Sequence, residues 1–230
     1  MLIAFEGTGG EVSQLFPPIF VGVRADFRPY NSYIWQFCQG YRSDKPAFAQ
    51  YVTGPRTDGL NMMDVFEDGK DVVDNKLKVN HDRRIDIIGY SRGGFAAMAL
   101  ARYVGYVHSR RVNFLGLFDP VRMSNLYGQY NNNAISGNCD TVCVIMRNAK
   151  TGSRSSWGNT GGSLEAGVKS YSHAYFMTSH SGMGGWPGGG DVTLSQNGDE
   201  MSESVRAGAF MAAAAGAAGV FSGRLWPHPF

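Results

Sequence analysis

Gly89-Tyr90-Ser91-Arg92-Gly93 sets a serine between two glycines, each two residues away. A serine hydroxyl is a weak nucleophile until a histidine accepts its proton and a carboxylate orients the imidazole. A Gly-x-Ser-x-Gly pattern arises often by chance, so its surroundings decide its meaning. Here the nearly all-apolar run 85–90 leads in, and the small and apolar residues 95–107 lead out. The order predicts strand, sharp turn and helix, which lifts the serine oxygen above the edge of a sheet. Strand and helix must approach closely at such a turn, and Gly89, Gly93 and Gly94 supply the missing bulk. The competing reading is an ordinary β–α turn whose serine caps the helix. The nucleophile reading is favoured.

On a scaffold of this kind the partners follow in the order serine, acid, histidine. Five histidines are available. His81 precedes the serine, His108 ends the helix after it and suits capping, and His228 lies in a proline-flanked tail. His180 follows a predicted strand at 175–178 and opens the loop Ser181-Gly182-Met183-Gly184-Gly185. His173, placed at the other end of that strand, is the reserve. For the acid, Asp119 ends the apolar run Val112–Phe118 and precedes Pro120. Asp140 begins a strand, Asp191 follows the histidine, and Glu165 sits in a Gly/Ser-rich loop. The expected set is therefore Ser91, Asp119 and His180. Donors for a developing oxyanion are expected from the Arg92 backbone N–H and the Gly7-Thr8-Gly9-Gly10 turn, with Thr8 and Gly9 as candidates. That turn is a weak phosphate loop, lacking the lysine and spacing of a P-loop.

These residues need elements that deliver them to one edge. Strands are expected at 2–5, 47–52, 85–90, 112–118, 141–146 and 175–178, and helices at 33–41, 62–77, 95–107 and 202–221. The alternation predicts an α/β fold: a mainly parallel, doubly wound sheet with helices on both faces, in one domain over residues 1–230. Functional residues then belong at the carboxyl ends of the strands.

Composition narrows the partners. The chain has 230 residues, 43% hydrophobic and 17% charged, enough for a substantial core. A net charge of +2 with scattered basic residues argues against nucleic acid. Cys38, Cys139 and Cys143 form neither a disulfide framework nor a zinc pattern; they read as buried small hydrophobes, with Cys139 and Cys143 spaced to share a strand face. No metal site or cofactor is expected. The N-terminus reads as a strand rather than a signal peptide, and 207–221 is short for a membrane span. The expected address is cytoplasmic, or exported without a cleavable signal peptide. Trp157, Trp186 and Trp226, in or near Gly-rich loops, look exposed and suit either an apolar pocket or loop anchoring.

Four blocks together resemble the α/β-hydrolases that include type VI secretion phospholipase effectors. The family's Asp-Gly-Thr-Gly is similar to Glu6-Gly7-Thr8-Gly9, and its Gly-Phe-Ser-Arg-Gly-Ala to Gly89-Tyr90-Ser91-Arg92-Gly93-Gly94. Its Phe-Asp-Thr-Val resembles Phe118-Asp119-Pro120-Val121, and its His-Ser-Asp-Val-Gly-Gly resembles His180-Ser181-Gly182-Met183-Gly184-Gly185. Glu6 and Gly182 stand where the family has aspartates, and Arg147-Asn148-Ala149 where it has Arg-His-Ala. The resemblance implies the same three residues and an α/β-hydrolase fold. Ester hydrolysis through an acyl-serine is the expected function, on a small-molecule or lipid ester and with transient membrane contact as a further expectation. The alternative is a hydrolase-fold binding module without efficient turnover; acyl transfer or thioester cleavage would use the same residues.

Overall fold

Parallel strands covered on both faces have no solvent side and read as unbroken apolar runs. That is how the centre of this protein is built. The computed structural model describes residues 1–8, 32–44, 48–56, 58–80, 84–122, 130, 133–152, 158–187 and 199–221. Within these, the strands are β1 (Leu2–Phe5), β2 (Ala49–Val52), β3 (Asp86–Tyr90), β4 (Val112–Phe118), β5 (Ala134–Ile135), β6 (Cys139–Arg147), β7 (Ser163–Leu164) and β8 (Ser170–Phe176). The helices are α1 (Tyr33–Asp44), α2 (Met62–Val79), α3 (Arg92–His108), α4 (His180–Met183) and α5 (Asp199–Ala217).

Six strands form one sheet in the order β2-β1-β3-β4-β6-β8, and every pairing in it is parallel. β5 and β7 pair separately, a short addition the sequence did not announce. Ile3, Phe5, Ile87, Leu115, Val142 and Val144 turn toward Val73 and Leu77 of α2 and Phe95 and Leu100 of α3. Leu2, Ala4, Ile88, Phe114, Cys143 and Ile145 turn the other way, toward Ile34 and Phe37 of α1 and Ala207 and Met211 of α5. The sheet is therefore sandwiched between two helical layers. Each large apolar side chain so buried contributes about 1.5–3 kcal/mol.

The strand order creates the place for a site. β1 lies between β2 and β3, so the chain leaves β1 toward one side and continues on the other. In open parallel sheets such a reversal leaves a crevice beyond the carboxyl ends of the two central strands. Gly7 and Thr8 follow β1 there, and Ser91 follows β3.

Several boundaries differ from the expected ones. β2 starts at Ala49 rather than 47, and β6 runs two residues earlier and one later than 141–146. α3 begins at Arg92, directly after the serine, and α5 covers 199–217 rather than 202–221. The largest correction concerns β8, which spans Ser170–Phe176 instead of 175–178. It is an edge strand with Tyr171, His173 and Tyr175 exposed. Its short, partly polar inward residues, Ser172 and Ala174, disguise the two-residue period. Cys139 and Cys143 do not share a face: Cys139 packs in the layer of α2 and α3, and Cys143 in the opposite layer. The regular alternation of β6 begins only at Val142, after the partly buried pair Asp140 and Thr141. Among the described residues, no helix is long and apolar enough to cross a membrane.

Candidate active site

The turn after β3 holds Ser91 at φ 56°, ψ −128°, a left-handed backbone that L side chains rarely adopt. Neighbouring backbone fixes it. Ser91 N–H donates to the Phe118 carbonyl at 3.0 Å, and the Ser91 carbonyl accepts from Gly94 and Val121 N–H, each at 3.0 Å. The strand–helix contact leaves no room for side chains. A Cβ on Gly89 would lie 2.4 Å from the Gly93 carbonyl oxygen, and one on Gly93 would lie 2.2 Å from the Glu6 carbonyl oxygen. Although Ser91 occupies the N-cap position of α3, its hydroxyl makes no capping bond. It points instead to His180.

The contact is 2.8 Å from Ser91 Oγ to His180 Nε2, and His180 Nδ1 lies 2.6 Å from Asp119 Oδ2. An ionised carboxylate only accepts, so Nδ1 carries the proton and Nε2 presents its lone pair to the serine hydroxyl. All three side chains are buried: Ser91 is 1% exposed, Asp119 0% and His180 2%. The three residues chosen by chain order and strand-end placement stand in one hydrogen-bonded line.

Asp119 directly follows β4 in a left-handed conformation, φ 42°, which aspartate tolerates better than most residues. Its N–H donates to the Ile145 carbonyl at 2.7 Å. Its Oδ1 accepts from the Arg147 N–H at 3.2 Å, and Oδ2 accepts from Arg147 Nη1 as well as from His180. Burial alone would push this carboxyl up, but the hydrogen bond and charge of His180 and then of Arg147 outweigh it and hold it below the usual carboxylate range.

His180 opens the short helix α4, not the loop expected from its glycines. Ser179 caps that helix by accepting the Gly182 N–H at 3.0 Å. Glu200 of α5 accepts the Ser179 N–H at 3.3 Å and its hydroxyl. Ser204 Oγ donates to the Gly182 carbonyl at 2.6 Å, and Tyr33 N–H donates to Gly184 at 3.0 Å. From below, Tyr90 donates to the His180 carbonyl at 2.8 Å and stacks near its ring, centroids 5.0 Å apart. The segment that carries His180 is thus fixed by both α1 and α5.

A Cβ on Gly7 would come within 3.2 Å of Ser91 Cβ, so the turn after β1, expected to supply oxyanion donors, adjoins the serine. Thr8 follows in that turn, and its buried Oγ1 has no hydrogen-bond partner among the described residues. Gly9 lies outside the described residues. The Arg92 backbone opens α3, where amide dipoles favour negative charge. Its guanidinium is buried and donates to the Arg56 carbonyl at 3.2 Å. Glu6 braces the turn: Oε1 accepts the Gly7 N–H at 2.9 Å, while Oε2 accepts from Tyr51 OH at 3.0 Å and from the Ser32 hydroxyl. Desolvation dominates there, and the Glu6 carboxyl is pushed up to about 7 despite those three bonds.

The remaining candidates lie elsewhere. His173 stands on the exposed face of β8 between Tyr171 and Tyr175. His108 does not cap α3 but meets Asp74 Oδ1 at 2.8 Å. Asp140 pairs with Lys169 at 2.9 Å and with Arg111 at the opposite edge of the sheet, and Glu165 pairs with Arg102 at 2.7 Å. Trp186 is half-buried rather than exposed, packed against Tyr90 with centroids 6.1 Å apart. His81, Asp191, His228, Trp157 and Trp226 lie outside the described residues. Arg147, Glu6 and Glu200 were not among the expected site residues. Arg147 was foreshadowed by its place just past an apolar strand, whereas Glu200 carried no local signal. No family model matches the chain, and no curated protein is similar enough to count as a relative.

Proposed function

We propose that the protein is a serine hydrolase of the α/β-hydrolase type that cleaves carboxylic esters through an acyl-serine intermediate. The observation that carries this reading is the continuous line from Ser91 Oγ to His180 Nε2 and from Nδ1 to Asp119 Oδ2. In it, Ser91 Oγ attacks the ester carbonyl while Nε2 takes the hydroxyl proton. The tetrahedral oxyanion is met by the Arg92 N–H and a donor of the turn after β1 that carries Thr8. Collapse breaks the C–O bond, and the leaving alkoxide receives the proton from His180. Water then attacks the acyl-serine with His180 again as base, which releases the acid and restores Ser91.

Asp119 remains ionised throughout, orienting the ring and stabilising its charged form. The substrates of this chemistry are carboxylic esters. Lipid and phospholipid esters fall within that class, in keeping with the resemblance of the four motif blocks.

Burst release from p-nitrophenyl esters of graded chain length tests the reading. Wild-type protein should give a burst stoichiometric with enzyme, and Ser91→Ala should lose at least about a thousandfold in rate. Equal hydrolysis by both proteins would instead fit a binding module with this fold.

A further inference from the structure

The reaction as proposed gives no task to the charge that touches its acid. Arg147 ends β6 and is 4% exposed. Its Nη1 donates to Asp119 Oδ2, the same oxygen that receives His180 Nδ1–H, and Nη1 lies 3.3 Å from Nδ1. A guanidinium has no lone pair and stays protonated in proteins. Both nitrogens therefore aim protons at one oxygen and not at each other. With its backbone N–H on Oδ1, Arg147 touches both oxygens of the carboxylate.

We propose that Arg147 is a positioning residue of this triad: it locks the Asp119 carboxylate in the orientation that aligns His180, and its fixed positive charge opposes the imidazolium. The inference rests on the serine-hydrolase reading. Two consequences follow from one contact. Immobilising Oδ2 fixes the ring plane, so Nε2 meets the serine without searching. A fixed cation beside the ring repels a second positive charge placed on it.

The other groups around His180 do not duplicate this role. Asp119 works in the opposite sense. Tyr90 presents its ring and donates to the backbone carbonyl. Glu200 reaches the turn only through Ser179, and Glu6 stands behind Gly7 on the serine side. Among the described residues, Arg147 places its guanidinium in contact with both Asp119 and His180.

The test is the labelling rate of a fluorophosphonate probe as a function of pH in wild type, Ser91→Ala, Arg147→Lys and Arg147→Gln. Each is measured where its thermal melt shows it folded. Wild-type labelling with none in Ser91→Ala upholds the underlying reading; equal labelling of both sinks that reading itself. Arg147→Gln should move the acid limb to higher pH by about one unit or more. Arg147→Lys keeps the charge and the backbone N–H on Oδ1 but replaces the rigid planar guanidinium with a flexible ammonium, so its limb should stay while its plateau falls about tenfold. If Arg147→Gln does not fold, Arg147→Lys decides alone. A Lys variant with its plateau within twofold of wild type, or a folded Gln variant with an unmoved limb, overturns the inference and leaves Ser91 untouched.

Discussion

The arrangement at Ser91 turns on two residues in left-handed conformations, Ser91 and Asp119, each held by backbone hydrogen bonds from a neighbouring strand end. Strain of this kind costs about 1–3 kcal/mol per residue and persists only where the surroundings enforce it. Chain order leaves both His180 and His173, and the choice between them rests on placing His173 at the far end of a strand at 175–178. In the structure His173 lies within β8 on its exposed face, whereas His180 is 2.8 Å from Ser91 Oγ. His180→Ala should lower fluorophosphonate labelling at least about a thousandfold, while His173→Ala should stay within twofold of wild type. Glu6 allows a second test, in stability. Its carboxyl is pushed up to about 7 from 4.5 by desolvation first. Its folded value exceeds its unfolded one, so its contribution is full below about 4.5 and is lost as pH rises through 7. Glu6→Gln removes that titration. Denaturant melts should show the variant gaining on wild type between those values, by roughly 3 kcal/mol above them. Parallel pH profiles for the two proteins would contradict the burial assigned to Glu6. Asp119 has the opposite sign: its carboxyl is held low, so its contribution is present above the ordinary carboxylate range and lost in strong acid.

Among the elements, the β3–α3 turn was the most legible, because its requirement is steric and glycine is the direct sign of it. Gly93→Ala would set a Cβ 2.2 Å from the Glu6 carbonyl oxygen, so the turn after β1 or the elbow must move. The expected outcome is a loss of about 1–3 kcal/mol in a denaturant melt together with a fall in labelling rate well beyond that of a surface Gly→Ala. Unchanged labelling in a folded Gly93→Ala would count against the close approach of the two turns. β8 and α4 were less legible. β8 hides its period behind Ser172 and Ala174, and α4 reads as a glycine-rich loop because its cap, Ser179, draws support from Glu200, which is distant in sequence. Contacts that fix an element from afar leave no periodic trace in its own residues.

Across the whole molecule, the parallel sheet brings the carboxyl ends of β1, β3, β4 and β6 to one edge, with α4 following β8 there. That placement follows from β–α alternation, which is why the three chosen residues could be found without a structure. The strand order itself, with its reversal between β1 and β3, is not written in local patterns. Nor is the division of the cysteines between layers. Cys38, Cys139 and Cys143 are free and buried, and desolvation pushes the Cys139 thiol up to about 12 and Cys143 to about 11. A thiol reagent should therefore find none of the three in native protein at neutral pH and all three in denaturant; rapid native labelling of any would contradict the packing.

The proposed function requires Ser91 to be an activated nucleophile. It is tested most directly by intact-mass and peptide-mapping analysis after exposure to a fluorophosphonate. One adduct per chain is expected, located on Ser91, absent in Ser91→Ala and absent after prior unfolding. An unmodified native protein, or an adduct mapped to another residue, would contradict it.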